Sequence, residues 1–193
     1  MPAENPIKLF DEWYKEAEKS GTPEPSAMAL ATATKDGKPS IRIVLLKQYD
    51  EQGFTFYTHY TSQKGRELLE NPQAALCFYW ESLKKQVRIE GIVEKVSAEE
   101  ADHYFHSRHP ESQIGAVISR QSEVMEDRDK FLAQVANLKN QLQGALPPRP
   151  NHWSGFRIIP ERIEFWQEGQ FRLHDRVLFE KSGGKWRKSL LYP

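Results

Sequence analysis

The sequence predicts a mainly β, α+β fold: an antiparallel β-barrel, closed or split, with helices inserted between its strands. Short apolar segments recur along the 193 residues and are separated by turn sequences such as Lys35-Asp36-Gly37-Lys38 and Gly183-Gly184. No strand alternates regularly with a crossover helix, as a parallel sheet would require. Neither G-x-G-x-x-G nor G-x-x-x-x-G-K-[ST] occurs, so we expect no Rossmann or P-loop nucleotide site.

The composition predicts one globular domain. Lys plus Arg and Asp plus Glu both total 27, and this neutral balance argues against general binding to nucleic acids or to membrane surfaces. The single cysteine, Cys77, cannot form an internal disulfide, which favours a reducing cytoplasm. We expect neither a signal peptide nor a membrane span, because no apolar run is long enough.

Capping residues delimit the predicted helices. Asn5 caps the first helix, and Ser97 with Glu100 forms a capping box before the third. We expect the third helix to stop before Pro110. The predicted helices span residues 6–19, 63–70, 97–107 and 126–142. The predicted strands span residues 28–34, 40–48, 54–58, 74–80, 86–96, 153–159, 163–167, 171–180 and 185–191.

The last long strand, 171–180, carries a basic face. Alternate side chains of a strand share a face, so Arg172, His174 and Arg176 should point one way and the apolar residues the other. Such a face is either a solvated edge or the wall of an anion-binding site. The spacing alone favours the solvated edge.

Arg42 interrupts an apolar strand, and a charged residue there must be paired or must bind an anion. Lys47 lies five positions later, so a regular strand would direct it to the opposite face and to a different anion. The alternative, slightly favoured by this segment alone, is an internal salt bridge for Arg42 and a solvated Lys47.

A second polar segment follows a strand end. Tyr57-Thr58 precedes Ser62-Gln63-Lys64 at the start of a helix, where backbone N–H groups, hydroxyls and a lysine come together. This arrangement suits a phosphate group. An ordinary helix cap is the alternative.

A third segment joins a phenol, a guanidinium and a hydroxyl. Tyr104 and Arg108 are spaced i,i+4 on the capped helix, and Ser112 follows the break at Pro110. Together they could hold a phosphomonoester. The alternative is a solvated helix end.

Other chemistries receive less support. His106 and His109 lack a third ligand with suitable spacing, so no metal site is expected. Cys77 has no identifiable base, and no serine occupies a G-x-S-x-G setting. Gln121 and Ser122 precede a helix and would serve as caps or as hydrogen-bond partners of a ligand.

Taken together and in order, these segments resemble the pyridoxamine 5'-phosphate oxidase (pyridoxine 5'-phosphate oxidase) family. Each segment alone is weak evidence for this family, whereas the ordered set from about residue 30 onward is specific to it. The segments are RIVLLK at 42–47, FYT at 56–58, QVRIEG at 86–91, YFHSR at 104–108, SQIG at 112–115, QS at 121–122, IEFW at 163–166 and RLHDR at 172–176.

The resemblance implies an FMN-binding split β-barrel that forms a homodimer, with one domain over residues 1–193. Residues 1–21 would hold the N-terminal helix, and residues 145–193 the C-terminal dimerisation and active-site region. The implied reaction is oxidation of pyridoxamine or pyridoxine 5'-phosphate to pyridoxal 5'-phosphate with reduction of O2 to H2O2, a step of vitamin B6 salvage in the cytoplasm. No metal, nucleic acid or membrane partner is implied.

The resemblance also assigns residues. It places FMN against Arg42, Ile43, Val44, Leu45, Tyr57, Thr58, Gln63, Lys64, Gln86, Gln121, Ser122, Trp166 and Arg176. It places the substrate against Lys47, Tyr104, Arg108, Ser112, Arg172 and His174. Arg172 and His174, over the pyridine ring, would be catalytic.

The chain departs from the family pattern in two places. Gln63 stands where many relatives carry arginine, which affects the expected FMN affinity and not the reaction type. The first helix lies close to residue 1, so we expect no lid from the longer N-terminal arm of some relatives.

Two other function classes stay open. A split-barrel flavoenzyme with another substrate, such as a flavin reductase, would not need the substrate-phosphate set Lys47, Tyr104, Arg108 and Ser112. A non-enzymatic carrier of flavin or pyridoxal phosphate would not need both anion sets.

Overall fold

The computed structural model describes residues 5–193, which form one nine-stranded antiparallel sheet with five helices. The helices are α1 (Pro6–Lys19), α2 (Gln63–Glu70), α3 (Ala98–Ser107), α4 (Pro110–Ile118) and α5 (Arg128–Leu142). The strands are β1 (Ala27–Ala33), β2 (Pro39–Leu45), β3 (Gln48–Asp50), β4 (Gly53–His59), β5 (Gln73–Trp80), β6 (Lys85–Lys95), β7 (Trp153–Gln167), β8 (Asp175–Ser182) and β9 (Lys185–Leu190).

Strand β7 organises the sheet. The strand order is β2-β1-β5-β6-β7-β4-β3, and β8 also pairs with β7 and carries β9. The first half of β7 pairs with β4, its second half pairs with β8, and β6 pairs along most of its length. The sheet curls into a half-barrel, which confirms the predicted α+β split-barrel class.

The main core lies between α1 and the concave side of the sheet. Phe10 of α1 is fully buried, and its ring contacts Tyr49, Phe54 and Phe78 at centroid distances of 4.9, 4.9 and 5.2 Å. Edge-to-face geometry of this kind adds to the hydrophobic gain from burial. The helix 6–19 predicted from its Asn5 cap is therefore confirmed, and the Asn5 side chain accepts from the Ile7 N–H at 2.8 Å.

A smaller core holds α3 and α4 against the first residues of β7. It is built from buried Phe105, Ala116 and Trp153, with Tyr57 and Tyr104 packed against it. The predicted capping box is present at the start of α3, where Ser97 and Glu100 bond each other's backbone N–H groups at 3.1 Å. This second core places the end of α3 and the beginning of α4 close to the ends of β2 and β4.

The predicted strand 40–48 is wrong as a single strand. β2 ends at Leu45 on one edge of the sheet, and β3 begins at Gln48 on the other edge. The break arises because hydrogen-bond partners change: Leu46 N–H donates to Ser26 at 2.9 Å, whereas Lys47 N–H donates to Thr55 at 2.9 Å. Lys47 therefore does not share a regular strand with Arg42, and the opposite-face argument for this pair fails.

Three further boundaries differ from the predictions. Residues 153–159 and 163–167 form one continuous strand, because β7 passes Pro160 at an irregularity opposite Glu90 and Gly91. Pro110 begins a helix instead of only ending one, since it occupies the first turn of α4, where its missing N–H costs nothing. Helix α5 begins at 128, not 126, with Asp127 as its cap.

The predicted strand 171–180 is also wrong in its first part. Residues 170–172 form a 3-10 turn, and β8 begins only at Asp175. Phe171 and Arg172 adopt positive φ values of 55° and 65°, which ends any strand. The single basic face proposed for Arg172, His174 and Arg176 is therefore not formed by strand alternation.

None of the helices within residues 5–193 combines the length and the apolar character that crossing a membrane requires.

Candidate functional site

A cavity of about 750 Å³ opens where β2, β4, α2, α3 and α4 meet. Its polar wall includes Lys47, Lys64 and Arg108, and none of its lining residues in the described chain is acidic. An uncompensated cationic wall of this kind attracts anions. The predicted site residues that line it are Ile43, Val44, Leu45, Lys47, Tyr57, Thr58, Lys64, Tyr104, Arg108, Ser112 and Gln121.

The cavity has an aromatic floor. The Tyr57 ring stacks on Tyr104 at 4.0 Å and on Trp153 at 5.5 Å, and the Arg108 guanidinium lies 4.7 Å from the Trp153 ring centre. Cation–π contact of this kind fixes the direction of an arginine side chain. The Arg108 Nη1 atom is buried and has no hydrogen-bond partner among the described residues, so this donor is available to an anionic ligand.

The backbone around Arg108 differs from the predicted i,i+4 helix pair. Helix α3 ends at Ser107, and Arg108 is its extended C-cap, with φ −75° and ψ 156°. Ser112 lies in the first turn of α4. The predicted trio of Tyr104, Arg108 and Ser112 nevertheless lines one cavity, because α3 and α4 meet at a corner.

Lys64 forms the other cationic wall. Its Nζ donates to Gln121 at 2.9 Å and lies 3.3 Å from the Thr58 hydroxyl, which itself donates to Gln121 at 3.0 Å. Burial lowers the pKa of Lys64 to about 8, and the nearby Arg42 charge adds to the shift. Ser62 caps α2 by accepting from the Gly65 N–H at 3.2 Å, so the ordinary helix cap that the sequence offered as the alternative is present at this helix start.

Sequence reasoning did not assign six of the residues that line this cavity, and Trp153 and His59 are the two that bear on its chemistry. Trp153 begins β7 opposite His59, and only the strand register brings it beneath Arg108. His59 is buried, and burial, with further contributions from His152, Lys64 and Arg108, lowers its pKa to about 4. His59 is therefore a neutral imidazole at neutral pH.

Arg42 and Gln63 do not line the cavity, because both contact the buried carboxylate of Glu67. Arg42 donates to Thr32 at 2.5 Å and to Ser40 at 2.6 Å, and it lies 3.4 Å from Glu67. The Gln63 amide donates to Glu67 at 3.0 Å. The internal salt bridge that the sequence offered as the alternative for Arg42 is thus present. The strand around Arg42 was expected to be buried, but Ile41 and Ile43 on either side of it are exposed.

Glu67 is well supplied with donors. Burial alone would raise the pKa of Glu67, but hydrogen bonds from Ser40, Thr32, Gln63 and Arg42 outweigh it and lower the pKa to about 2. A carboxylate that accepts several hydrogen bonds stays ionised in this way.

A second cluster lies on the outer face of the sheet, at the far end of β7. Gln86, Trp166 and Arg176 are direct cross-strand neighbours on β6, β7 and β8. Directly opposed residues of an antiparallel pair share a face, so the three side chains form one row.

Ser122, which was also predicted to contact FMN, lies in the loop before α5 with φ 73°.

The turn after β7 presents two more predicted residues beside this row. The Gly169 N–H donates to Nδ1 of His174 at 3.2 Å, and the His174 ring lies 4.7 Å from the Trp166 ring. Nδ1 of His174 therefore acts as an acceptor, and Nε2 is the ring nitrogen left to donate a hydrogen bond. Arg172 is exposed at the left-handed position of the turn.

The two clusters are separated within one chain. Trp153 and Trp166 are 13 positions apart on β7, which corresponds to about 40 Å along the strand. No hydrogen bond or ring contact joins the clusters among the described residues. The two clusters therefore lie at opposite ends of β7.

Comparisons with known proteins agree with this architecture. A family model described as pyridoxamine 5'-phosphate oxidase matches residues 14–142, and one described as the pyridoxine 5'-phosphate oxidase C-terminal dimerisation region matches residues 153–193. The chain belongs to the pyridoxamine 5'-phosphate oxidase family. The pyridoxine/pyridoxamine 5'-phosphate oxidase of Gluconobacter oxydans (strain 621H) is 51% identical, over 98% of this chain and 94% of the relative. That of Novosphingobium aromaticivorans is 50% identical, over 100% and 96%.

Solved structures of the pyridoxamine 5'-phosphate oxidase fold superpose over nearly the whole chain. PhzG from Burkholderia lata 383, in complex with tetrahydrophenazine-1-carboxylic acid, gives a TM-score of 0.95 at 35% identity, covering 100% of this chain and 94% of PhzG. A pyridoxamine 5'-phosphate oxidase-related, FMN-binding protein from Nostoc punctiforme PCC 73102 gives 0.78 at 14% identity, covering 99% and 100%. The second likeness concerns the fold alone.

The turn at Gly169 yields a testable prediction. A Cβ atom at Gly169 would lie 1.8 Å from the Leu173 carbonyl oxygen, so Gly169→Ala must open the turn that holds His174. We expect a loss of about 1–3 kcal/mol in unfolding free energy and faster amide exchange at residues 169–174, measured by hydrogen exchange. The matched control is Gly115→Ala in α4, where a Cβ meets nothing within 4 Å. Unchanged exchange in Gly169→Ala would contradict the observed turn.

Proposed function

We propose that the chain is an FMN-dependent oxidase that converts pyridoxamine or pyridoxine 5'-phosphate to pyridoxal 5'-phosphate. The observation that carries the proposal is the cavity with two separate cationic groups, Lys64 and Arg108, and no acidic lining residue among those described. Family membership and the full-length relatives support the same activity. O2 would be reduced to H2O2, and the amine substrate would also consume water and release ammonia.

The residues present fit an FMN phosphate at the Lys64 wall. Lys64, Thr58 and Gln121 converge within hydrogen-bond distance of one another and offer ammonium, hydroxyl and amide groups. The N-terminus of α2 adds favourable backbone polarity for an anion. When bound, FMN supplies the capacity to accept a hydride, and the protein supplies binding and orientation.

The opposite wall fits the substrate phosphate. Arg108 presents an unpartnered buried Nη1 atom, and Lys47, Tyr104 and Ser112 line the same cavity. Holding the phosphate there would orient the substrate C4' carbon toward the flavin, because the binding contacts fix the position of the whole substrate. Arg172 would balance charge on the pyridine ring, and the Nε2–H of His174 would donate to the same end of the substrate.

We propose that a homodimer completes each site, with one cluster from each protomer. The C-terminal match is to a dimerisation region, and it contains the turn with Arg172 and His174. The outer face of β2 also exposes apolar side chains, with Ile41 71% and Ile43 67% accessible. Exposed apolar patches of this kind mark interfaces, and a twofold axis would bring the Trp166 end of one chain to the cavity of the other.

PhzG supports a second candidate function. It is 35% identical to this chain, and its complex contains a tricyclic carboxylic acid without a phosphate group. An oxidase for such a compound would use Arg108 for a carboxylate. Parallel assays with pyridoxamine 5'-phosphate and tetrahydrophenazine-1-carboxylic acid separate the two candidates, because only the first substrate carries a phosphate.

The function is tested by peroxide and pyridoxal phosphate formation in air with FMN. We expect Arg108→Ala to raise KM mainly, by the equivalent of about 2–4 kcal/mol, since a buried charged contact to phosphate is lost. Arg172→Ala should lower kcat while FMN stays bound. Absence of pyridoxal phosphate formation by the wild-type dimer, or release of FMN by Arg108→Ala, would contradict the assignment.

The lowered pKa of Lys64 leads us to expect that FMN binding depends on pH. Its ammonium form, present below the pKa of about 8, is the form that attracts phosphate. FMN affinity should therefore hold below pH 8 and fall above it, by up to about tenfold per pH unit.

The measurement is fluorescence titration of apo-protein between pH 7 and 9, where the phosphate stays dianionic because its second pKa is about 6. Lys64→Arg is the matched control, because its guanidinium stays charged and should flatten the curve. The same slope in both proteins would exclude Lys64 as the titrating group.

A further inference from the structure

Glu164 is a buried carboxylate at the centre of the second cluster. It lies on β7 with only 4% of its surface accessible, between Arg88 on β6 and the Arg176 side chain on β8. Its Oε1 accepts a hydrogen bond from Arg176 Nε at 2.8 Å and lies 2.7 Å from Arg176 Nη2 in an ion pair, and its Oε2 lies 3.4 Å from Arg88 Nη1. A buried carboxylate between two guanidinium groups stays paired on both oxygens.

Arg176 is held from two sides. Besides the two contacts with Glu164, its Nη1 donates to the Tyr192 carbonyl oxygen at 3.0 Å. Nε and Nη1 of the guanidinium thus donate one hydrogen bond each, and Nη2 is held in the ion pair with Glu164, so each terminal nitrogen keeps an N–H without a partner among the described residues. The two free donors belong to a planar group whose orientation is fixed, beside Trp166 in the cross-strand row.

We propose that Glu164 is a positioning residue, which holds the Arg176 guanidinium in the orientation that receives the flavin of FMN. The proposal rests on the proposed FMN-dependent function and on the placement of FMN against Trp166 and Arg176 that the family resemblance implies. Glu164 itself would not touch the cofactor, since its two oxygens are occupied by Arg176 and Arg88.

The arrangement has a physical advantage over a free arginine. An unrestrained arginine side chain loses rotamer freedom when it binds a ligand, and a preorganised one has already lost it. The pairing also offsets the charge of an arginine that is only 27% accessible and that shares its sheet face with Arg88. Without the carboxylate, the two guanidinium groups would repel each other, and Arg176 would turn toward solvent.

The test is a double-mutant cycle read by FMN affinity of the apo-dimer, measured by quenching of flavin fluorescence. We expect Glu164→Gln to weaken FMN binding by about 10- to 100-fold, because charge-assisted contacts that orient Arg176 are lost. In the Arg176→Ala background, Glu164→Gln should have almost no further effect, since Glu164 acts through that arginine.

Glu90→Gln is the matched control. Glu90 lies on the same face and contacts Arg88 at 2.8 Å and Arg162 at 3.6 Å, but it makes no contact with Arg176. This variant should bind FMN as the wild type does. The thermal midpoint and the dimer content of each apo-protein are measured in parallel, so that a general loss of structure is recognised.

The outcomes distinguish a failure of the positioning role of Glu164 from a failure of the proposed FMN site. If Arg176→Ala weakens FMN binding and Glu164→Gln does not, or if the two effects are additive, the positioning role is overturned while the FMN site stands. If Arg176→Ala leaves FMN affinity unchanged, the cofactor placement itself is wrong. Should Glu164→Gln fail to fold, Glu164→Asp replaces it in the same cycle, because it keeps the charge and withdraws the carboxylate by one methylene.

Discussion

The antiparallel pairing along β7 is the constraint on which the rest of the structure depends. This 15-residue strand pairs with β4 at its beginning and with β8 at its end. The first pairing places Trp153 beneath Arg108, and the second places Trp166 between Gln86 and Arg176. Both clusters are therefore fixed by one hydrogen-bonded ladder, which places them at opposite ends of the same strand.

Buried charges are treated in two different ways in this molecule. Glu67 and Glu164 are both buried, and each contacts arginine, so Arg42 and Arg176 are compensated within the protein. Lys64 and Arg108 contact no carboxylate in the described structure, and burial lowers the pKa of both. Leaving cations uncompensated costs stability in the free protein and reserves them for an anionic ligand.

Local signals predicted much of this structure. The Asn5 and Ser97 caps gave correct helix starts, and Thr58 and Lys64, which the sequence placed together at a strand end and the following helix start, line the same cavity. Ordered motifs gave the family, because eight short matches in sequence order are far more specific than any one of them.

Non-local effects explain what the sequence could not predict. Alternation suggested a strand through Arg172, whereas positive φ values at Phe171 and Arg172 form a turn that no pattern of side chains announces. The edge-to-edge crossover at Leu46 depends on bonds to Ser26 and Thr55, and these distant partners are invisible in a local window. The contacts of Trp153 with Arg108 and of Glu164 with Arg176 depend on strand register, so the local sequence did not predict them.

The central claim, that each site takes one cluster from each of two chains, is tested most directly with mixed dimers. Arg108→Ala chains and Arg172→Ala chains carry different affinity tags, are co-expressed, and the doubly tagged dimer is isolated and assayed for pyridoxal phosphate formation. If the sites are shared, this dimer contains one intact site and one doubly altered site, so it should recover about half of the wild-type activity per dimer. Both single-variant homodimers should remain impaired. A mixed dimer no more active than the average of the two homodimers would show that each chain builds its site alone, and would contradict the account.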